Sequence, residues 1–271
     1  MRPLKQIKRF FKNLFKRFEK KESVIKFGWK RDIPDPRDHK FRVTAPQVLP
    51  PLIDLRDLCP PIYNQGTLGS CTAQALGAAY QFEQMKQKRP NFLPSRLFIY
   101  YNERVLEGSV NEDAGAMIRT GIKTMVKEGV CPETMWKYIE SRFKKKPCPD
   151  CYKEALNNQV IEYLRLSPHS LYDVKNCLVN GYPVVFGFTI FQSFMSSYVA
   201  RTGIATMPIA NDSVIGGHAV MAVGYDDSIE SLIVRNSWGK EWGIDGYFYL
   251  PYGYVTQANL SADYWTIRLV E

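Results

Sequence analysis

One of the six cysteines in this 271-residue chain stands in a setting that favours nucleophilic chemistry. Cys71 ends the segment QGTLGSC, and the apolar spacing that follows it predicts a helix from Cys71 to about Lys88. A cysteine at a helix N-terminus faces unpaired N–H groups and the positive end of the helix dipole, which both favour the thiolate. Cys71 is therefore predicted to be a nucleophile.

Gln65, at the start of the same segment, is placed to stabilise the negative charge that such a nucleophile creates. Two glycines, Gly66 and Gly69, separate it from Cys71 and allow tight turns. The Gln65 carboxamide can then fold back beside the cysteine. Together with the Cys71 backbone N–H it would supply two neutral donors to an oxyanion.

His218 is the best candidate for the proton partner of Cys71. The chain contains only three histidines, and His39 lies in a proline-rich segment while His169 lies in a turn before a predicted helix. His218 begins a strand in GGHAVMAVGY, where the preceding glycines permit the close approach of other groups. Taken alone, a histidine at a strand end is more often structural than catalytic.

Asn236 provides a third polar group suited to the same site. It follows the predicted strand SLIVR and opens the segment NSWG, which contains Trp238. An asparagine that accepts from one imidazole nitrogen holds the other toward a thiol, and a tryptophan over that bond excludes water. Ordinary core packing is the alternative interpretation of Trp238 and the nearby Trp242.

These segments together resemble the papain family of cysteine peptidases over residues 52–271. The resemblance is carried by NQGTLGSC, GGHAVMAVGY and NSWGKEWGIDGYF, which occur in the family's order. It implies a papain-like α+β fold of two subdomains, with a helical left half, an antiparallel β-barrel-like right half, and the active-site cleft between them. It also implies an endopeptidase that acts on peptide or protein substrates and needs no metal or other cofactor.

The resemblance assigns a role to each motif residue. Cys71 corresponds to the nucleophile, His218 to the general acid and base, Asn236 to the orienting amide, and Gln65 to the side chain of the oxyanion hole. Gly115 lies in a segment similar to the one whose backbone pairs with substrate. The predicted substrate-binding residues are Gly115, Gly69, Gly217 and Trp238.

Two residues depart from the usual family pattern. Leu68 stands where family members generally have a structural cysteine, and Thr72 replaces the aromatic residue that normally follows the nucleophile. The usual disulfide beside the active site is therefore impossible. Two other functions stay open at this point: an inactive papain-like binding module, and a membrane-associated scaffold.

Positive charge is concentrated at the N-terminus. The formal net charge is +9, and residues 1–22 hold nine Lys or Arg against two acids, which leaves +2 for the remaining residues. This balance argues against nucleic-acid binding by the main domain. The apolar residues of the segment recur at helical spacing: Leu4, Ile7, Phe10, Phe11, Leu14, Phe15 and Phe18.

Residues 1–22 are accordingly predicted to form a basic amphipathic helix. Such a helix suits attachment to an anionic membrane surface, although a helix docked on its own protein or a solvated tail fits the same pattern. No apolar run is long enough to span a membrane, and no secretory signal is recognised. We expect a cytoplasmic or membrane-peripheral location, and the sequence does not reveal the oligomeric state.

Residues 23–50 form a proline-rich leader, which could be a linker or an inhibitory propeptide. The resemblance suggests a zymogen in which this leader crosses the cleft and is cut near Ala45 to Pro51. The peptidase domain then spans residues 51–271. Its first half carries helical patterns near residues 94–106, 115–128 and 170–180, and its second half carries the strand patterns PVVFGFTI, HAVMAVGY, SLIVRNSW and GYFYLPY.

Cys148 and Cys151 form a C-x-x-C pair outside these motifs. Such a pair can bind zinc or cycle between dithiol and disulfide. Zinc needs two further ligands, and no second C-x-x-C pair exists in the chain. Buried or locally bridged thiols are therefore the favoured interpretation.

Overall fold

The computed structural model describes residues 25–43 and 47–271, so the predicted basic helix of residues 1–22 lies outside the described part. Within that part no helix is long and apolar enough to cross a membrane. The helices are α1 (Cys71–Lys86), α2 (Arg96–Leu106), α3 (Ile118–Lys127), α4 (Pro149–Ala155), α5 (Leu171–Val179), α6 (Ser197–Thr202) and α7 (Gly253–Thr256). The four helices predicted from periodicity correspond to α1, α2, α3 and α5.

The strands lie mainly in the second half of the chain, as predicted. They are β1 (Trp29–Lys30), β2 (Leu52–Asp54), β3 (Ala116–Met117), β4 (Val160–Arg165), β5 (Val184–Phe191), β6 (Val214–Asp226), β7 (Ser231–Arg235), β8 (Tyr247–Pro251) and β9 (Ser261–Val270). An antiparallel sheet has the order β4-β9-β5-β6-β7-β8, with β2 paired to β6. Among the described residues this path does not close on itself. The α+β expectation is confirmed, with an open sheet where a barrel-like half was expected.

Helix α1 lies at the centre of the fold. Its residues from Cys71 to Gln84 are all buried, because the helix packs between the other helices and strand β6. Ala75 and Ala78 lie on one face of the helix, where their small side chains allow strand β6 to approach closely. A helix buried all round is a core element rather than an amphipathic surface helix. The N-terminus of α1, and with it Cys71, is therefore held rigidly against the sheet.

Residues 25–43 of the leader lie along the domain. Strand β1 pairs in parallel with β3, and further on Phe41 and His39 exchange backbone hydrogen bonds of 2.8 and 2.7 Å with Arg165 at the end of β4. The buried Asp38 carboxylate accepts from both Arg119 and Arg165. The leader is thus bound through backbone pairing at both Trp29–Lys30 and His39–Phe41, and through the ion pairs of Asp38.

Candidate active site

Cys71 is the first residue of α1 and is fully buried. The backbone N–H groups of Ala219, in β6, and Gly28, in the leader, face its sulfur and favour the thiolate. Burial raises the pKa of the Cys71 thiol to about 11, although these N–H groups oppose the effect. In this covered site the cysteine is therefore a neutral thiol.

His218 is paired with Asn236 and precedes Ala219 in β6. Its Nε2 lies 2.9 Å from Asn236 Oδ1, which also accepts from the backbone N–H of Ser237 at 2.8 Å. Because that amide oxygen is an acceptor, the hydrogen belongs on His218 Nε2, and Nδ1 has no hydrogen-bond partner among the described residues. Burial lowers the pKa of His218 to about 4, although the bond to Asn236 opposes this.

Aromatic side chains cover the His218 imidazole. Trp238 stacks on it with ring centroids 4.8 Å apart and an interplanar angle of 28°, and Trp242 packs edge-on against Trp238 at 4.9 Å. Phe27 of the leader contacts the imidazole from another side, 6.5 Å away between centroids. Trp238 therefore covers the imidazole that is hydrogen-bonded to Asn236. The rings exclude water from that hydrogen bond.

Gln65 is fully buried, and both the oxygen and the nitrogen of its carboxamide are hydrogen-bonded. Its Oε1 accepts from Ser237 Oγ at 2.7 Å, which leaves Nε2 free to donate. Nε2 donates to the carbonyl oxygen of Leu68 at 2.9 Å and to the carbonyl oxygen of Lys26, in the leader, at 3.0 Å. A carbonyl of the leader thus occupies the donor that was predicted to serve an oxyanion.

The three predicted substrate-binding glycines all border the leader. Gly69 and Gly115 lie on either side of Gly28: the Gly69 carbonyl oxygen blocks the space that a Cβ at Gly28 would need, and a Cβ at Gly115 would overlap the Gly28 carbonyl oxygen. Gly115 also has φ +69°, a conformation that favours glycine. A Cβ at Gly217 would lie 2.7 Å from the Trp29 ring. The structure therefore brings these residues together around residues 28 and 29.

The sequence did not identify Trp29, although the strand from Val184 to Phe188 and the region from Leu260 to Asp263, which border the slot that receives it, were expected to form a substrate pocket. The indole lies against the backbone of Gly187, in β5, and Gly217, in β6. Its Nε1 donates to Asp263 Oδ2 at 3.2 Å, and the backbone N–H of Asp32 donates to the same oxygen at 2.8 Å. The isolated glycine within the strand pattern VVFGFTI was the available signal, because glycine inside a strand often marks a close approach.

Asp263 lies deep in this slot with unusual electrostatics. Burial raises its pKa to about 6 and the nearby Asp32 carboxylate adds to the shift, while Arg165, 3.2 Å from Asp263 Oδ1, opposes it. Burial also raises the pKa of Asp32 itself. The leader's Asp32 and the domain's Asp263 therefore form a pair of neighbouring carboxyl groups that resist ionisation.

The family model described as papain family cysteine protease matches residues 49–266. The chain belongs to the papain family of cysteine proteases. The family assignment, the fold and the expectation of a cysteine peptidase are confirmed.

Two similar proteins each match 90% of this chain. An uncharacterized peptidase C1-like protein of Acanthamoeba polyphaga mimivirus is 44% identical over 270 residues, which cover 90% of this chain and 87% of the relative. The crystal structure of xylellain, a cysteine protease from Xylella fastidiosa, shows 44% identity and a TM-score of 0.83, covering 90% of this chain and 96% of xylellain.

A more distant solved structure shows the same fold. Digestive procathepsin L 3 of Tenebrio molitor larval midgut has 17% identity and a TM-score of 0.67, with 86% of this chain and 75% of that chain covered. At this identity the likeness concerns the papain-like fold alone.

The two departures from the family pattern have structural counterparts. Leu68 is buried, and all six cysteines are free thiols, so no disulfide lies beside the site. Thr72 Oγ1 donates to Glu103 Oε2 at 2.8 Å, and both side chains are fully buried. A polar contact beneath the N-terminus of α1 therefore replaces the usual aromatic residue.

Proposed function

We propose that this papain-family peptidase is an endopeptidase acting through Cys71, His218 and Asn236, and that its leader keeps it inactive. One observation carries the proposal. The Lys26 carbonyl of the leader accepts from Gln65 Nε2 at 3.0 Å, and the neighbouring Gly28 N–H faces the Cys71 sulfur, so the leader fills the positions that a reacting peptide would need. Because the sulfur faces an N–H donor, it has no carbonyl carbon to attack there.

The leader also controls the ionisation of the proposed catalytic pair. In the covered site, burial favours the neutral Cys71 thiol and the neutral His218 imidazole. Removal of the leader admits water and substrate, which stabilise the thiolate and imidazolium forms. The N-terminus of α1 then favours the thiolate as well. Uncovering the site thus creates the nucleophile as well as exposing it.

The uncovered residues can carry out acyl transfer in two stages. The Cys71 thiolate attacks the peptide carbonyl, while Gln65 Nε2 and the Cys71 backbone N–H hold the oxyanion. His218 gives its proton to the leaving amine and then takes a proton from the water that hydrolyses the thioester. Asn236 keeps Nε2 of the imidazole engaged, so that Nδ1 is the nitrogen that exchanges the proton.

The leader remains attached because its contacts extend beyond the cleft. The leader's Asp38 pairs with Arg119 and Arg165, at 2.5 and 2.6 Å, and these side chains are mostly buried. Asp32 accepts from the Trp265 indole at 2.8 Å and from the Arg119 backbone N–H at 3.1 Å. Partly buried ion pairs with several hydrogen bonds hold a segment more firmly than exposed pairs do. Cleavage is therefore proposed between these contacts and the domain, in the region from residue 45 to 51.

The test compares the full chain with a chain that begins at Leu49, which is the first residue of the family match. On a peptide blocked at both ends and carrying an internal fluorogenic bond, the shorter chain should hydrolyse at least about 10-fold faster. Equal rates would reject inhibition by the leader. Hydrolysis of the blocked peptide distinguishes endopeptidase from exopeptidase action.

The catalytic assignment has its own control. In the shorter chain, Cys71→Ala should abolish hydrolysis and labelling by a thiol-directed active-site probe, whereas Cys59→Ser should preserve both. Cys59 is a partly buried thiol, and burial raises its pKa to about 11. It is therefore a poor competitor for the probe. Retained hydrolysis in Cys71→Ala would reject Cys71 as the nucleophile.

A further inference from the structure

Three of the six cysteines lie together in a separate small core. Cys148 Sγ and Cys151 Sγ are 2.8 Å apart, and the Cys131 thiol contacts that of Cys151. Cys131 and Cys151 are fully buried beside Phe98, whereas Cys148 is exposed. The cluster therefore has one thiol that solvent reaches and two that it does not.

The spacing of the sulfur atoms separates the two chemistries open to a C-x-x-C pair. Two thiolates on one tetrahedral zinc, each about 2.3 Å from the metal, lie about 3.8 Å apart. The observed 2.8 Å is well below that separation and approaches the bonded distance of about 2.05 Å. No group of three or more His, Cys, Asp or Glu side chains in the described residues is arranged to hold a metal ion. Covalent pairing fits the cluster better than metal binding.

We propose that Cys148 and Cys151 are a reversible dithiol–disulfide pair, oxidised by a low-molecular-weight disulfide such as oxidised glutathione. The Cys148 thiolate attacks one sulfur of glutathione disulfide and expels a glutathione thiolate, which takes up a proton. The Cys151 sulfur then attacks the Cys148 sulfur of the mixed disulfide and expels the second glutathione. Two protein thiols are oxidised to one disulfide, and one glutathione disulfide is reduced to two glutathione thiols.

Accessibility sets the order of these steps. Only Cys148 is open to a soluble disulfide, and burial raises the pKa of both Cys131 and Cys151. Cys148 is therefore the entering thiol. Cys151 reacts at contact distance, where proximity offsets its low thiolate fraction. Cys131 stays protonated and does not take part.

The pair lies at one end of a segment that contacts the active-site loop, which consists of residues 65–70 and leads into Cys71. Residues 132–147 join Cys131 to Cys148 and contain a single short helical turn, Glu140–Arg142. From this segment, Tyr138 donates to the Gln65 carbonyl oxygen at 2.8 Å and its hydroxyl lies 2.6 Å from Ser70 Oγ. Oxidation of the cysteine pair would thus fix the end of the segment that holds this loop, without modifying the loop itself.

The experiment uses the full chain carrying Cys71→Ala, so that no reactive active-site thiol competes. The protein is incubated with oxidised glutathione, its remaining thiols are alkylated, and it is digested with trypsin. Residues 146–153 leave as one peptide, since the Lys146–Pro147 bond resists trypsin, and this peptide holds both cysteines. It should be unalkylated, free of glutathione and two hydrogens lighter than the dithiol, and dithiothreitol should reverse the change.

Two further variants distinguish the mechanism from simple surface oxidation. Cys151→Ser should stop at glutathione bound to Cys148, and Cys59→Ser should form the disulfide as fast as the parent. Three results in the parent would each overturn the proposal. In the first, both cysteines are still alkylated after oxidation. In the second, Cys148 or Cys151 forms a disulfide with a different cysteine, and in the third, Cys148 keeps a stable glutathione adduct. A stoichiometric zinc ion that protects both thiols would overturn it as well. Because the test omits Cys71, its outcome is independent of the proposed peptidase mechanism.

Discussion

The indole Nε1 of Trp29 donates a 3.2 Å hydrogen bond to Oδ2 of Asp263, and this bond joins the leader to the last strand of the sheet. The indole lies against the backbones of Gly187 and Gly217, where any side chain would collide with it. Asp263 adopts φ +59°, which is uncommon for a residue with a side chain and holds its carboxylate in the slot. The slot is therefore shaped for a flat side chain with a hydrogen-bond donor at its edge.

Trp29→Ala in the full chain should weaken the leader's hold on the cleft. The substitution removes a nearly buried indole, a loss of the order of 3–5 kcal/mol in a well-packed site. We expect alkylation of Cys71 by a small thiol reagent to accelerate at least about 10-fold. Trp29→Phe keeps most of the apolar contact and loses only the donor, so its rate should be intermediate. Parent-like alkylation in Trp29→Ala would show that the slot does not retain the leader.

The slot should also select substrates once the leader has gone. In a chain beginning at Leu49, peptides that place tryptophan in the slot should show kcat/KM about 10-fold or more above their alanine counterparts. Asp263→Asn should reduce the advantage of tryptophan over phenylalanine, because a neutral amide oxygen replaces the carboxylate that accepts from the indole N–H. Gly187→Val fills the slot and should remove the preference for both aromatics. The measurement is kcat/KM over a peptide series varied at each position before the cut, and an unchanged profile in Gly187→Val would contradict the assignment.

The sequence predicted the residues whose signals are local. Cys71 stands at an expected helix start, and α1 begins there as predicted. His218 lies in the expected glycine-marked strand, but β6 begins at Val214, so His218 lies inside the strand and not at its start. The residues that complete the site are joined to it over long separations. Ser237 Oγ orients Gln65 from 172 residues away, and Trp29 reaches Asp263 across 234 residues. Periodicity carries no information about such contacts, which depend on how the sheet and leader are assembled.

Strand prediction failed for a related reason. Strand β4 is an edge strand of the sheet, and its sequence VIEYLR mixes apolar and charged residues that are mostly half exposed. Strand β9 was also not predicted, although it pairs with both β4 and β5 and is largely buried. Its polar residues Asp263 and Thr266 are buried and interrupt the apolar run. Asp263 is one of the residues that contact the leader, so the irregularity in the pattern coincides with function.

Retention of the leader should depend on pH through Asp263. Its pKa is raised to about 6 by burial and by the Asp32 carboxylate, while Arg165 opposes the shift. Arg165 also pairs with Asp38, which in turn pairs with Arg119. The Asp32 pKa is raised too, by burial. An acid whose pKa is higher in the bound state favours binding at low pH, and this contribution is lost as pH rises through the raised pKa. The leader should therefore bind more tightly at pH 5 than at pH 7.5.

This dependence can be measured by adding a peptide of residues 25–43 to a chain that begins at Leu49. We expect the inhibition constant to rise several-fold between pH 5 and pH 7.5. In Asp263→Asn the group that titrates near pH 6 is absent, so the rise should be smaller. An inhibition constant that falls over this range would contradict the sign of the effect.

The contact between Thr72 and Glu103 should make the stability of the fold depend on pH. Burial raises the pKa of Glu103 to about 8, although the Thr72 hydroxyl opposes the shift; Glu107 adds to it and Arg104 counters it. The free energy of unfolding that this carboxyl contributes is fully present below about pH 4.5. It is lost as pH rises through about 8, because the folded state resists the ionisation that the unfolded state allows.

Glu103→Gln should remove this part of the pH dependence, since an amide does not ionise. Below pH 5 the variant should be as stable as the parent or slightly less so, because its amide N–H group finds no acceptor near Gly121. At pH 8.5 its Tm should exceed that of the parent by several degrees, about 5 °C. Thermal unfolding of full chains carrying Cys71→Ala, measured from pH 5 to 9, gives the comparison without self-cleavage. Thr72→Val is the matched control: it keeps the carboxyl but loses its donor, so it should be less stable at every pH and should retain the fall in Tm between pH 5 and about 8.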